Sequence, residues 1–379
     1  MRRSLHLNIV LIGFAIAGAG TVVAPAAAKP LDPTARAVID RIAPTGIGGG
    51  VTGVTVGISD PSLGTMIRSY GSAGVGAGPM KPGMHYRIAS VNKTFTALAV
   101  LRLIQQGKLT LRAHLCQYVP RIPNGCRITI RQVLAMRAGI YDFTSNAAFA
   151  SRYVHNPLLP GFGPTQALSI IRANRAKAKP PGKETVYDDS NYVLLGLVIQ
   201  KVTGESAPRY LNSLAARLGL RHTTFPRGPR IPAPFARGYI GPDSKMGRPG
   251  DTDMTLSNPF VPFTAGAMIS TVPDMLRYDR QLNTGVGLSP RLWRLRRVWG
   301  PLTSTGTKLQ YGLGLTELGK WIGHDGSIFG YSTMVFYLPS KHASLVVMEN
   351  GGDGVEVDAQ GVWGKIADQL YPGSITNWK

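Results

Sequence analysis

Acidic residues are scarce in this chain of 379 residues: Asp and Glu number 20 against 42 Lys and Arg, a formal charge of +22. Such an imbalance draws a protein toward polyanions. Cysteine is scarcer still. Two cysteines exclude a multi-disulfide scaffold and any cysteine-built zinc or iron–sulfur site. Charged residues make up only 16% and hydrophobic ones 44%, which excludes a disordered chain. No two of the seven histidines stand at H-x-x-x-H spacing, so a helical zinc site lacks its ligands. G-x-S-x-G is absent, which argues against an α/β-hydrolase elbow. Gly48–Gly53 matches G-x-G-x-x-G but precedes a strand instead of following one, so no dinucleotide site is read there.

The N-terminus is built differently from the rest. Arg2 and Arg3 precede an apolar stretch from Leu7 to Val23, and Ala26, Ala27 and Ala28 follow. These are the three parts of a secretory signal peptide, with cleavage expected after Ala28. A single membrane anchor is the other reading; Gly and Ala dilute the stretch and a cleavage site follows, which favours the leader. Arg2-Arg3 also permits twin-arginine export. Beyond residue 28 no run of about 18 apolar residues recurs, so the mature chain is expected not to span a membrane. A secreted or periplasmic protein rarely meets nucleic acid. An anionic cell-envelope polymer is the expected electrostatic partner instead. Export also permits a Cys116–Cys126 disulfide around a Pro/Asn/Gly turn, a closure contributing on the order of 2–3 kcal/mol; two free buried thiols are the alternative.

Periodicity divides the mature chain, 29–379, into two textures. A helix over 32–42 capped by Asp32, a hairpin over 50–58 and 64–71, and a long helix from Ser90 to Gln106 ended by Gly107 come first. Residues 109–261 read as a helical lobe, with helices at 130–137, 164–175, 190–203 and 207–218 and one possible strand near 220–226. From 262 the pattern returns to helices at 272–284 and 289–298, strands at 309–317, 320–325, 328–338 and 342–349, and a closing helix near 354–370. In the 289–298 helix, Leu292, Leu295 and Val298/Trp299 form the apolar stripe and the arginines a solvated face. Residues 29–108 and 262–379 make one α/β lobe. Its first and last strands must pair, because two early strands alone are not stable.

The chemistry gathers at three places. Ser90-Val-Asn-Lys93 opens the long helix; positions i and i+3 share a face, so the Lys93 amine can reach the Ser90 hydroxyl. A serine needs such a base to become a nucleophile. The helix N-terminus favours the negative charge that develops on an attacked carbonyl oxygen. Tyr187-Asp188-Asp189 precedes an apolar helix and could present a phenol to the pair, with a nearby ammonium lowering the phenol's pKa. Gly323-His324-Asp325-Gly326-Ser327 lies in a strand, where His324 and Gly326 share one face. Gly326 leaves room for a backbone to approach.

The order S-x-x-K, Y-x-N-like, H-x-G resembles the serine β-lactamase and penicillin-binding protein superfamily, in the branch of class C β-lactamases, DD-carboxypeptidases, D-amino-acid peptidases and related esterases. The stretches "YRIASVNKTFTALAVLRLIQQGKLTL", "DDSNYVLLGLVIQKVTG", "YGLGL" and "GHDGSIFGYST" carry it across roughly 33–370. The resemblance implies an α+β fold, an antiparallel sheet flanked by helices plus a helical lobe, with the site between them. It implies Ser90 as the acylated nucleophile, Lys93 and Tyr187 as proton carriers, and His324 in the place of the lysine of K-T-G. The backbone N–H groups of Ser90 and Ser327 would form the oxyanion hole. No metal or cofactor is implied.

Departures from the pattern bear on substrate. Asp189 stands where Asn is usual and cannot donate an amide hydrogen bond. It would pair with Lys93 and favour Tyr187 as base. Asp325 stands where threonine is common and, facing the cleft, would repel a substrate carboxylate; Thr316 and Glu317 follow "YGLGL" with no arginine placed to bind one. The expected substrate is a small peptide of the peptidoglycan type, with D-residues, cut by a DD-carboxypeptidase-like or D-peptidase-like enzyme. A carboxylic ester or a β-lactam is the alternative, and a catalytically weak penicillin-binding scaffold the alternative of another class.

Overall fold

The computed structural model describes residues 29–240, 252–303, 309–351 and 359–375, so the leader read at 1–28 lies outside the described residues. Helix α1, Pro33–Ile42, starts where Asp32 accepts the N–H groups of Thr34 and Ala35 at 2.9 and 3.0 Å. Strands β1, Gly53–Asp60, and β2, Gly64–Gly71, follow as the expected hairpin. Its turn is held by the Asp60 carboxylate, which accepts from Ser62 and Leu63, and by Gly64 at φ +105°. The short strand β3, Tyr86–Arg87, leads through a 3-10 turn, Ala89–Val91, into helix α2, Asn92–Gln105.

Helices α3, Ile130–Leu134, α4, Ala147–His155, α5, Pro164–Ala173, α6, Asp189–Thr203, and α7, Ala207–Arg217, occupy the middle of the chain. Helix α4 was not expected from periodicity; Asn146 caps it by accepting from Phe149 N–H. The strand expected near 220–226 is a single bridge between Thr224 and Ile269. Cys116 and Cys126 are joined in a disulfide. Strands β4, Tyr239–Ile240, and β5, Thr252–Asp253, pair with each other, and β6, Ile269–Ser270, pairs with β3.

The chain then builds helices α8, Val272–Asn283, and α9, Pro290–Arg296, and strands β7, Gly300–Pro301, β8, Gln310–Tyr311, β9, Thr316–Leu318, β10, Trp321–Ile328, β11, Tyr331–Leu338, and β12, Ala343–Glu349. Helix α10, Ala359–Leu370, closes it. The sheet runs β2-β1-β12-β11-β10-β9-β8-β7, antiparallel throughout, with Val54 opposite Glu349 and Ser59 opposite Ser344. Helices cover both faces, so β12 is buried along its whole length. Leu345 and Val347 face Ile39 and Trp363 of α1 and α10, while Val346 and Met348 belong to the opposite core with Val272 and Met275 of α8.

Two expectations fail here for physical reasons. The strand read at 309–317 is two short strands bent apart at Gly312–Leu315, where Gly314 takes φ +72°. The arginine face of the 289–298 helix is not all solvated. Arg296 is buried, donating to the carbonyls of Thr94 at 2.8 Å and Leu313 at 3.2 Å, and Val298 is exposed instead. A fixed guanidinium fork meets both carbonyls at once, which ties α9 to α2 and to the turn after β8.

Candidate active site

Ser90 lies in the 3-10 turn at the start of α2, and Lys93 follows one turn later on the same face. Helix α2 is buried on nearly every side, so the Lys93 amine sits fully inside the protein. It donates to Ser90 Oγ at 2.8 Å and to the Ala265 carbonyl at 3.1 Å, and it pairs with Asp189 Oδ1 at 2.5 Å. Three oxygen atoms therefore stand around the amine, enough to receive all three N–H bonds of an ammonium. Asn92 fixes the segment that brings Ala265, its Oδ1 accepting from Ala267 and Met268 at 3.0 and 3.2 Å.

Asp189 is the first residue of α6, where the helix N-terminus favours a carboxylate. Behind it, Asp188 caps the helix by accepting from Ser190 N–H at 2.6 Å. Asp142 reaches the same place from a loop that Ser190 holds, its Oγ accepting from Phe143 N–H at 2.9 Å. Burial first, then the neighbouring Asp189 charge, pushes the Asp142 carboxyl up to about 6. Burial and the charge of Asp142 push Asp188 well above the carboxylate range.

Tyr187 stands over the pair. Its ring centre lies 4.8 Å from Lys93 Nζ, and its hydroxyl is hydrogen-bonded to Ser90. Burial, and then the charges of Asp189 and Asp325, hold its phenol well above the ordinary value, against the Ser90 hydrogen bond that lowers it. The sequence suggested the opposite direction from the Lys93 ammonium alone. Two carboxylates and a dry setting outweigh one cation already paired with Asp189.

Strand β10 lies directly across the nucleophile turn. A Cβ on Gly326 would stand 2.5 Å from the Ile88 carbonyl oxygen and 3.0 Å from the Ser90 nitrogen, so only glycine fits. Ala89, pressed against it, takes φ +47°, a strained left-handed setting costing on the order of 1–3 kcal/mol. His324 is buried beneath Tyr187, ring centres 6.1 Å apart, and does not line the pocket. Its Nδ1 donates to the Asp325 carbonyl at 2.6 Å, and its Nε2 is 3.4 Å from the Tyr311 hydroxyl. Burial lowers its pKa, Asp325 opposes this, and Lys93 adds to it. Asp325 is exposed on the next pleat.

Ser90, Asp189 and Ser327 open onto one cavity of about 270 Å³. Phe143, Phe149, Tyr153, Val261, Pro262 and Phe329 give it apolar walls, and no Lys or Arg lines it. The profile of the family described as "Beta-lactamase" matches residues 38–367. The chain belongs to the β-lactamase family. It shares that family's serine-hydrolase fold with a D-stereospecific amidohydrolase from Streptomyces sp., at TM-score 0.78 and 26% identity over 89% of this chain and 98% of the other. The D-amino acid amidase from Ochrobactrum anthropi SV3, solved with L-phenylalanine, superposes at TM-score 0.75 and 25% identity, over 88% and 97%. The protein flp of Staphylococcus aureus (strain N315) is 38% identical over 151 residues, a match spanning 38% of this chain and 28% of that protein.

Sequence reasoning missed Asp142 and the aromatic walls. Phe149 and Tyr153 sit at i and i+4 of α4, a spacing that could have marked one helix face. Asp142 carries no local mark, since a distant helix decides its setting.

Proposed function

We propose that this chain is an exported serine hydrolase that cleaves peptide-like amides carrying D-residues, of the kind found in peptidoglycan stems, through an acyl-enzyme on Ser90. The observation that carries the proposal is Lys93 Nζ held at once by Ser90 Oγ and Asp189, both of which line the apolar pocket above it. Ser90 Oγ bonds to the scissile carbonyl carbon. Its proton passes to the Tyr187 oxygen as the Tyr187 hydroxyl gives its own proton to the departing nitrogen. A phenol held above its ordinary value suits a shuttle that never has to exist as phenolate. Lys93 keeps its charge beside the reacting oxygen, and the N–H groups of Ser90 and Ser327 receive the oxyanion. Water then releases the acyl group by the reverse relay. His324 acts from beneath, holding the Tyr187 ring.

Asp189 in the pocket lining, with no Lys or Arg beside it there and with Asp325 exposed on the adjoining strand, favours an acyl group that carries an ammonium over a leaving group that ends in carboxylate. Within the D-peptidase reading this favours cleavage after an N-terminal D-residue over DD-carboxypeptidase action. The amidohydrolase named among the structural relatives supports an amide substrate. The Cys116–Cys126 disulfide supports export with removal of residues 1–28, and the division into lobes at 108/109 and 261/262 belongs to the same proposal.

The test is turnover of a D-aminoacyl amide, its N-acetyl derivative, a D-Ala-D-Ala peptide, an acyl ester and a penicillin, with intact mass to detect the adduct. The free-amine amide is expected to be cleaved fastest, and Ser90→Ala to lose at least about 10³-fold. Turnover retained in Ser90→Ala rejects the mechanism; fastest turnover of the N-acetyl amide rejects the substrate assignment.

A further inference from the structure

Beneath the site runs a chain of hydrogen bonds that the proposed reaction does not use. The Tyr192 hydroxyl donates to the Leu134 carbonyl at 2.9 Å. The Tyr311 hydroxyl lies 3.3 Å from the Tyr192 oxygen and 3.4 Å from His324 Nε2. All three side chains are buried, and His324 Nδ1 is committed to the Asp325 carbonyl. A carbonyl only accepts, so the Tyr192 proton is fixed on Leu134 and the Tyr192 oxygen can only receive. The Tyr311 hydroxyl therefore has one proton and two places to put it.

We propose that Tyr311 is a positioning residue for the reaction, a rotating hydroxyl that lets His324 stand beneath Tyr187 with or without a second proton at no loss of hydrogen bonds. With His324 neutral, Tyr311 donates to Nε2. When a solvent proton forms an N–H bond at Nε2, that N–H donates to the Tyr311 oxygen and the Tyr311 proton turns to Tyr192. Every donor has an acceptor in both states. Without this chain, one state would leave a buried donor unpaired. The charges that face the imidazole are Asp325 on its own strand, Lys93 from α2 and Asp189 from α6, with Tyr187 above it. Arg296 faces the far end of the chain at Tyr192 and Tyr311. A second cation formed beside Lys93 would compete for Asp189, so the neutral ring is the working form. That consequence for rate rests on the Ser90 reading above; the hydrogen-bond switch itself does not.

The test is a pH titration of the His324 ring nitrogens by ¹⁵N NMR, assigned by their loss in His324→Gln, in the unaltered protein, Tyr311→Phe and Tyr192→Phe. Each hydroxyl removed deprives the imidazolium state of an acceptor. The titration midpoint is expected to fall by about half a pH unit or more in both variants. The acid limb of kcat/KM is expected to move with it. A structural role alone would lower kcat without moving either. An unchanged midpoint in both variants, or a shift in Tyr311→Phe alone, overturns the proposal; Tyr192→Phe carries the test should Tyr311→Phe fail to fold. If the protein hydrolyses nothing, the nitrogen titration still decides the switch.

Discussion

The cleft and the outer face of this protein carry opposite electrostatics. At the nucleophile Asp189 pairs with one buried ammonium, Asp142 and Asp188 are pushed up by burial and by neighbouring carboxyls, and exposed Asp325 lies on the adjoining strand. On the outside Arg112, Arg131 and Arg291 line a groove of about 830 Å³ floored by Ile104, Leu109 and Leu292. Among the described residues no carboxylate pairs with these three arginines. Exposed charges act by their sum, over about a Debye length, and salt weakens them. Buried charges act one by one and must be paired or protonated. The +22 of the whole chain therefore describes what the surface attracts and misdescribes the site.

The sharpest way to break this contrast is at the phenol. Tyr187→Phe should cut the acylation rate by about 10²-fold in a stopped-flow burst, with circular dichroism unchanged; an unaltered burst removes Tyr187 from the chemistry. A smaller effect belongs to Asp189→Asn. It should cost about tenfold in kcat/KM for the free-amine amide while the N-acetyl amide loses less, because only the former uses the charge. Equal losses on both would assign Asp189 to Lys93 alone.

The outer face answers to a different measurement. The triple variant Arg112→Gln, Arg131→Gln, Arg291→Gln should leave kcat as it was and wash from anionic cell-wall polymer at severalfold lower salt. Retention that ignores salt in the parent protein would dismiss the polymer as partner. Smallest is the effect at Asp279, a buried carboxyl of α8 remote from both regions. Burial holds it well above the carboxylate range, against hydrogen bonds to Ser344 and Asn283. A raised acid contributes its full stability below about pH 4 and loses it as pH rises toward the folded value. Asp279→Asn should therefore raise Tm by about 2 °C at pH 7 and leave it unchanged near pH 4; equal gains at both pH values would contradict the protonated state.

What could be read beforehand follows from how far each rule reaches. Ser90 and Lys93 obey a one-turn spacing, and His324 and Gly326 obey strand alternation, so both pairs were legible in the residues alone. The hairpin, the long buried helix and the pairing of first and last strands were legible for similar reasons. Helix α4 was not, because nine residues are too few to show a clear helical period and three of its apolar residues are only alanines. The turn at Gly312–Leu315 was hidden by a run of strand-forming neighbours, and the inward turn of Arg296 by its resemblance to the exposed arginines beside it. The direction in which Tyr187 is pushed needed its burial first, then the charges of Asp189 and Asp325, and the fold alone decides the burial and brings Asp325 from another element.

The place of β1 in the sheet has a consequence for synthesis. Its far edge pairs with β12, which is made only after every element between the two strands. Until they do, the hairpin of β1 and β2 has no partner, and contacts so distant along the sequence form slowly. Synthesis must have passed β12 before the sheet can close, and a nascent chain interrupted anywhere before residue 343 offers the cell a protein without a centre.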